Sequence, residues 1–565
     1  MTVLSVFAGP LAAAAPVDAI TPPEISFTLT APVLIALGGA ILGILFEAFL
    51  PRRLRYPVQV VLALLTVAAA LVWTLLGAHR DDVGVTFGGA VAVDQATYVM
   101  WGVLLVLALP SLLLMADRVS EPGGAFVTQA AAKIGSPRDR TATRAASPMQ
   151  TEVFPLALFA VSGMMIFPAA TDMVTLFVAL EVLSLPLYLL CGLARRRRLI
   201  SQEAAVKYFL LGAFTSAIFA YGLAMLYGYC GSTQFAAVAA QARAGDTSDV
   251  LLLGGLALVV VGLLFKASVG PFHLWTPDVY QGAPTPVTAF MAACTKVAAF
   301  AAMLRVCLVA LEPMTWTWQP VLAVIAGASM VIGSVIGITQ TDMKRMLAYS
   351  SVAHAGFILL GVISMSETGA SATMFYLLTY GMATIGAFAI LTVVRKGDGE
   401  ASHVADWAGM ARRSPVLAAS MSLFLLSFAG IPLTAGFIGK LSVFTAAMEA
   451  GLGPWVVLAM IATAITAFFY LRIIVVMYFA DPVTPVPAEQ PVGVAAGAAG
   501  AAPAVSRSAA TSGSAGGLTA DGPFVVVPGP LTTIVVAVAV IVTLGLGLFP
   551  GPVLDLLTIP LPLLS

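Results

Sequence analysis

The sequence predicts an all-α polytopic membrane protein of about fourteen transmembrane helices, with two inverted five-helix repeats that each contain a broken helix. Three observations predict it. The 565 residues are 60% hydrophobic and only 10% charged, with a mean hydropathy of +1.00. Apolar windows of about 20 residues, the length that crosses hydrocarbon as a helix, recur along most of the chain. Breaks rich in glycine and proline, each with a lysine beside it, interrupt two of those windows at corresponding places.

In chain order, spans are expected at 30–50, 57–77 and 95–116, which form an N-terminal region over 1–116. A polar, basic loop follows at 117–152. The first repeat, 153–311, holds spans at 153–168, 171–194, 203–229, 250–280 and 286–311; the second, 312–480, holds spans at 320–340, 344–365, 371–394, 415–449 and 454–480. Residues 481–530 are rich in Ala, Gly, Pro and Ser and read as a flexible insertion; one last span, 531–552, lies in the C-terminal region 531–565. The first residues, MTVLSVFAGPLAAAAPVDA, resemble a signal peptide but lack its basic start, so no cleavage is expected.

Charge fixes the orientation. Nineteen Lys and Arg residues fall in the odd-numbered loops, among them Arg52, Arg118, Arg195, Lys344, Arg395 and Arg507, against only Arg80 and Arg243 on the other side. The positive-inside rule then puts the basic loops in the cytoplasm and both termini outside.

The repeat predicts where chemistry sits. A unit of five helices re-enters the membrane the other way up, which makes the second copy an inverted repeat of the kind transporters use. The fourth helix of each copy breaks: at Gly270 and Pro271 after Lys266 in the first, and at Gly430, Ile431 and Pro432 before Lys440 in the second. Breaks expose backbone groups at mid-membrane that can hold water or ions.

A charge at the bilayer centre costs about 2.5–3.5 kcal/mol on insertion scales, so each ionisable group in a span calls for a reason. Glu181 lies mid-span; packing as a neutral acid is the bland alternative to carrying a proton. Lys207 opens the next span and is expected to be a movable partner of Glu181, although it could also snorkel to water. A lysine beside a glutamate favours the carboxylate, and its departure lets the acid take up a proton. Lys266 sits at the first break, and His273 and Lys296 extend the row; a histidine titrates close to neutral pH and suits a relay between lysines. Tyr349, Ser350 and His354 follow in KRMLAYSSVAHAG, with Ser350 and His354 on one helix face; such groups also serve as glue between membrane helices. Lys440 is expected to be the second copy's counterpart of Lys266. Arg305 and Arg472 suggest no role, and at least one is expected to reach an interface. The four cysteines, with no CxxC spacing, read as small apolar filler. Together, Glu181, Lys207, Lys266, His273, Lys296, Tyr349, His354 and Lys440 read as a chain of proton sites along the membrane plane.

No Walker A sequence, no GxGxxG after a strand and no cluster of metal ligands is present, so neither ATP nor NADH is expected to act on this chain. An ion gradient or coupling to a partner remains as the driving force.

On the segments LEVLSLPLYLL, EAAVKYFLLGAFTSAIFAYGLAMLYG, FKASVGPFHLWTPDVYQGAPTPVTAFMAACTKVAAF, KRMLAYSSVAHAG and LLSFAGIPLTAGFIGKLSVF, the chain resembles the antiporter-like membrane subunits of bacterial respiratory complex I, the NADH–quinone oxidoreductase, which are related to Mrp-type sodium/proton antiporters. The wording PDVYQGAPTPVT and the lysine at 440 look like the N type; the M type carries a glutamate at its last key position. The resemblance implies a proton-translocating subunit of an enzyme that moves electrons from NADH to quinone. Glu181 and Lys207 would match the family's glutamate–lysine pair, Lys266 its broken-helix lysine, Lys296 its connecting lysine and Lys440 its second-half lysine, with His273 and Tyr349 at bridging polar positions. It implies no cofactor in this chain: FMN, iron–sulfur clusters and quinone would be in or near other subunits. Its partners would be the other membrane and peripheral subunits, neighbouring antiporter-like subunits above all, with membrane lipids and protons and no nucleic acid, in the bacterial inner membrane. The departures are the insertions at 117–152 and 481–530. Two rival readings are a stand-alone Mrp-type sodium/proton antiporter and a non-pumping scaffold.

Overall fold

A computed structural model of the chain describes residues 24–121, 123–127, 150–245, 249–396, 399–481 and 523–564. The first helices are α1 (Phe27–Phe49), α2 (Arg52–Arg80), α3 (Gln95–Ala116), α4 (Val153–Ala169), α5 (Met173–Cys191) and α6 (Arg198–Cys230). There follow α7 (Phe235–Ala244), α8 (Asp249–Lys266), α9 (Trp275–Gly282) and α10 (Thr285–Ala310). The second half has α11 (Thr315–Thr339), α12 (Met343–Ile363), α13 (Glu367–Val393), α14 (Pro415–Ala429), α15 (Ala435–Glu449), α16 (Gly453–Phe479) and α17 (Pro530–Leu548). Among the described residues eleven helices are long and apolar enough to cross a membrane, and three shorter apolar helices accompany them.

Local sequence sets several of the boundaries. Asp94, Asp172, Asp342 and Ser366 accept backbone N–H groups at the starts of α3, α5, α12 and α13, each such cap contributing about 1 kcal/mol. Pro415 and Pro530 open α14 and α17, where a missing N–H costs no hydrogen bond. Among the described residues strands occur only between helices. β1 (Gly84–Thr86) pairs antiparallel with β2 (Val91–Val93), and β3 (Val394–Lys396) lies between β4 (Gly399–Glu400) and β5 (Pro523–Val525). β5 belongs to the stretch expected to be flexible: its end is pinned to β3, Arg395 opposite Phe524. The rest of that insertion, most of the loop at 117–152 and the N-terminal stretch lie outside the described residues.

Packing neighbours recur in the two halves. α4 packs against α5 and α10, and α6 against both pieces of the broken helix, α8 and α9. In the same way α11 packs against α12 and α16, and α13 against both α14 and α15. α10, α12 and α13 are buried almost throughout, whereas α1, α2, α6, α16 and α17 turn residues such as Leu45, Leu65, Phe214, Phe468 and Ile541 outward. That outward apolar band suits lipid. Lys296 and Arg305 lie on the buried α10, and His354 on the buried α12.

Candidate functional site

Both broken helices stop on the same turn. α8 ends with Ser268 at φ +60°, Ser268 N–H donating to Phe265 O at 3.1 Å and Val269 N–H to Leu264 O at 2.9 Å. α14 ends with Gly430 at φ +78°, Gly430 N–H donating to Ser427 O at 3.0 Å and Ile431 N–H to Leu426 O at 3.0 Å. This is the left-handed closure common at helix C-termini. Pro271 and Pro432 lack the N–H needed to continue the helix. In the first break Gly270 N–H instead donates to Ser329 Oγ at 2.9 Å, and Ser329 donates onward to Val352 O at 2.8 Å.

The turns set a register between the halves, and that register corrects one expectation. Ser268 corresponds to Gly430, so the place of Lys266 is held in the second half by Phe428, and Lys440 lies beyond the break. What Lys440 shares with Lys296 is a contact with carbonyls at a helix break. Lys296 Nζ donates to Ala267 O at 3.2 Å and to Ser351 O at 2.9 Å. Lys440 Nζ donates to Phe428 O at 2.9 Å and Ala429 O at 3.4 Å, with Thr463 Oγ1 at 3.5 Å. Each lysine thus covers at least one carbonyl left open at a helix C-terminus, Ala267 O for Lys296 and Phe428 O and Ala429 O for Lys440, where cations are favoured.

Lys266 points elsewhere. Its ammonium donates to Ser184 Oγ at 2.8 Å and Tyr208 Oη at 3.2 Å, and Glu181 is close enough to act on it electrostatically. Glu181 Oε1 is buried with no hydrogen-bond partner. Lys266, Lys296 and Lys440 are 4%, 1% and 4% exposed, so all three are interior and none snorkels.

His354, 1% exposed, is held at Nδ1 by Tyr376 Oη at 2.8 Å and at Nε2 by Tyr470 Oη at 3.2 Å, with its ring stacked on Tyr380 at 4.5 Å. Ser350 Oγ bonds the same Tyr470 hydroxyl. His354 is within electrostatic reach of both Lys296 and Lys440, and Phe357 lies between it and Lys440, 4.9 Å from the ammonium. His273 and Tyr349 meet edge to face at 6.0 Å, and His273 Nδ1 has no hydrogen-bond partner.

In this structure Lys207 does not meet Glu181. It is half-exposed and binds Glu203 at 2.7 Å and Asp278 at 2.8 Å. A lysine stem with water within reach turns its head toward it. Of the two arginines for which the sequence suggests no role, Arg305 is fully buried and ion-paired to Asp94 at 2.8 Å, and it donates to Pro168 O and Leu564 O. Arg472, by contrast, is exposed.

At the loop ends of these helices charged side chains converge on a polar opening lined by Glu121, Arg196, Gln281, Thr285, Lys344, Arg395 and Glu400. Burial works against the ionised Glu400 carboxylate, yet Lys344 at 2.7 Å, with Thr285 and Arg395, holds it below the usual carboxylate range. Burial pushes the Glu121 carboxyl up, beyond what Arg395 and Arg196 offset.

Ser184, Tyr208, Tyr376, Tyr380, Thr463 and Tyr470 escaped sequence reading. Their only signal is a hydroxyl inside an apolar run, which packing tyrosines also give. The π-helical turn at Met291–Thr295, immediately before Lys296, left no signal either; such turns re-aim the side chains that follow and cluster at functional sites.

Comparison with known proteins places the chain in a family. Residues 170–466 match the family described as NADH:quinone oxidoreductase/Mrp antiporter, TM. The chain is 53% identical over 536 residues to NADH-quinone oxidoreductase subunit N of Saccharopolyspora erythraea, covering 94% of this chain and 97% of that one. It is 50% identical to subunit N of Acidothermus cellulolyticus, covering 98% and 99%. Among solved structures it is similar to a chain of respiratory complex I from Thermus thermophilus, at TM-score 0.70 and 31% identity over 93% of this chain and 98% of that one. A chain of the Mrp complex from Dietzia sp. shares the fold at TM-score 0.74 and 21% identity, over 94% and 97%. The chain belongs to the NADH:quinone oxidoreductase/Mrp antiporter membrane-subunit family, in the branch of the subunit N proteins.

Proposed function

We propose that this chain is a proton-translocating membrane subunit of NADH:quinone oxidoreductase and moves protons along Glu181, Lys266, Lys296, His354 and Lys440. One observation carries the reading: the hydrogen bonds of the three interior lysines all go to hydroxyls and backbone carbonyls. A proton can leave such an ammonium without breaking an ion pair, and the neutral amine keeps hydrogen-bonding capacity toward the same hydroxyls. Lys296 joins the halves, since one of its acceptors is the residue after Lys266 and the other lies one turn before His354. Lys207 and Asp278 stand at the loop end of the first half, beside the polar opening, where protons arrive from water. His273 and Tyr349 form a side pair that orders water at the first break.

Electron transfer, with its flavin, iron–sulfur clusters and quinone, would belong to partner subunits, and proton movement here follows changes in hydration and charge pairing. The basic loops face the cytoplasm and both termini face outward, as the distribution of Lys and Arg requires. The stand-alone antiporter finds less support: the Mrp structure shares the fold at 21% identity, against 53% for the Saccharopolyspora subunit N. Lys266→Ala or Glu181→Ala, in a complex that still assembles, lowers NADH-driven proton pumping. An unchanged proton-to-electron ratio in both variants contradicts the proposal.

A further inference from the structure

Asp278 stands with Lys207 at the loop end of the first half, and it also sits where the two halves touch. It lies on α9, the second piece of the first broken helix. Its two oxygens are shared between cations from opposite halves: Oδ2 takes Lys207 Nζ of α6 at 2.8 Å, and Oδ1 takes Arg345 Nη1 of α12 at 2.7 Å. Glu203 also holds Lys207, at 2.7 Å, and Asp342, which caps the first turn of α12, accepts from Gln281 Nε2 at 3.4 Å. Gln281 Oε1 accepts from Arg345 at 3.1 Å, and Gln340 Oε1 from Arg345 Nε at 3.4 Å.

We propose that Asp278 is a positioning residue for proton transfer: a shared counter-ion that holds Lys207 outward, away from the unpartnered Glu181, and couples its release to Arg345 of the other half. The inference rests on the relay reading above. Two features support it beyond the distances. The Lys207 and Asp278 side chains are 42% and 35% exposed, and half-exposed ion pairs are weak, so this one can open and re-form in a working cycle. Inside the membrane, Glu181 Oε1 is buried without a hydrogen-bond donor, which leaves a place for an ammonium that departs from Asp278. When Lys207 leaves, Arg345 remains as the cation on Asp278, so the carboxylate is never left bare. When Arg345 is drawn off by movement of α12, Asp278 holds Lys207 more firmly. The charge state at the first half is thereby tied to the position of a helix in the second.

The test is NADH-driven proton translocation, normalised to NADH oxidised, in inside-out membrane vesicles carrying the assembled complex. Asp278→Asn is expected to lower it severalfold, Asp278→Glu to restore most of it, and Asp278→Asn combined with Lys207→Ala to be no worse than Lys207→Ala alone. A purely structural role predicts additive losses in the double variant, and that result overturns the proposal. Wild-type translocation in Asp278→Asn overturns it too. Lys266→Met in the same vesicles separates the two readings: if it is impaired while Asp278→Asn is not, only the counter-ion role falls, and if both match wild type the relay falls as well. Should Asp278→Asn prevent assembly, Arg345→Gln keeps the Lys207 pair and removes only the bridge. It is expected to lower translocation, and a wild-type value there rules the bridge out.

Discussion

At the scale of single residues, the interior charges divide into those that are locked and those that are free to change. Arg305 is locked. Its guanidinium, 0% exposed, meets Asp94, Thr97, Pro168 O and Leu564 O, tying α10 to α3, to the end of α4 and to the C-terminal residues. Removing one partner of such a buried pair costs about 3–5 kcal/mol, because the other is left uncompensated. Arg305→Met is therefore expected to lower the thermal stability of the complex sharply, while the double variant with Asp94→Asn recovers part of the loss; equal instability of the two would contradict the assignment. Lys266, Lys296 and Lys440 are the opposite case, with hydrogen bonds to hydroxyls and backbone carbonyls. The sequence distinguishes neither class, since partner choice is a tertiary fact: Lys207 meets Asp278 and Lys296 meets Ser351 O across 71 and 55 residues of chain.

At the scale of elements, the breaks were legible because glycine and proline leave few backbone solutions. Gly430 takes φ +78° at the end of α14, and a Cβ there would stand 3.0 Å from Lys440 Cδ and 3.4 Å from Nζ. Gly430→Ala forces a side chain into the left-handed region, at roughly 1–2 kcal/mol, and presses on the lysine that covers the open carbonyls. Lower thermal stability together with slower pumping is expected; full pumping would show that this turn does not set the ammonium's position. The loop sheet gives a pH-dependent prediction. Glu400, on β4, is held below its ordinary value, so its contribution to stability is present above the unfolded carboxylate value and is lost as pH falls through the folded one. Glu400→Gln should therefore destabilise the complex at neutral pH, with the difference from wild type shrinking in acid. A thermal inactivation series across pH checks this, and a gap that widens in acid would contradict it. The pinning of β5 onto β3 was not legible, because three residues of strand inside an Ala-, Gly- and Pro-rich stretch carry no periodicity to read.

At the scale of the whole molecule, hydropathy was enough to place the long apolar helices within a few residues, since lipid leaves helices as the only open-chain way to satisfy the backbone. It could also place the ionisable groups in the membrane, because each stands out against an apolar background. It could not give the register between the halves. Ser268 and Gly430 close equivalent turns with different residues, so a sequence match of lysine to lysine pairs Lys266 with Lys440, whereas by contact with the carbonyls at the breaks it is Lys296 that resembles Lys440. The fold thus places a lysine on the open end of each broken helix and a histidine between them, within reach of both. Lys296 is the group on which the two halves depend jointly, and Lys296→Met keeps its apolar stem while removing the charge. Proton translocation per NADH oxidised by the assembled complex carrying that change is the most direct measurement. The account predicts a severalfold fall in translocation; a ratio equal to wild type, in complex of normal assembly, would contradict it.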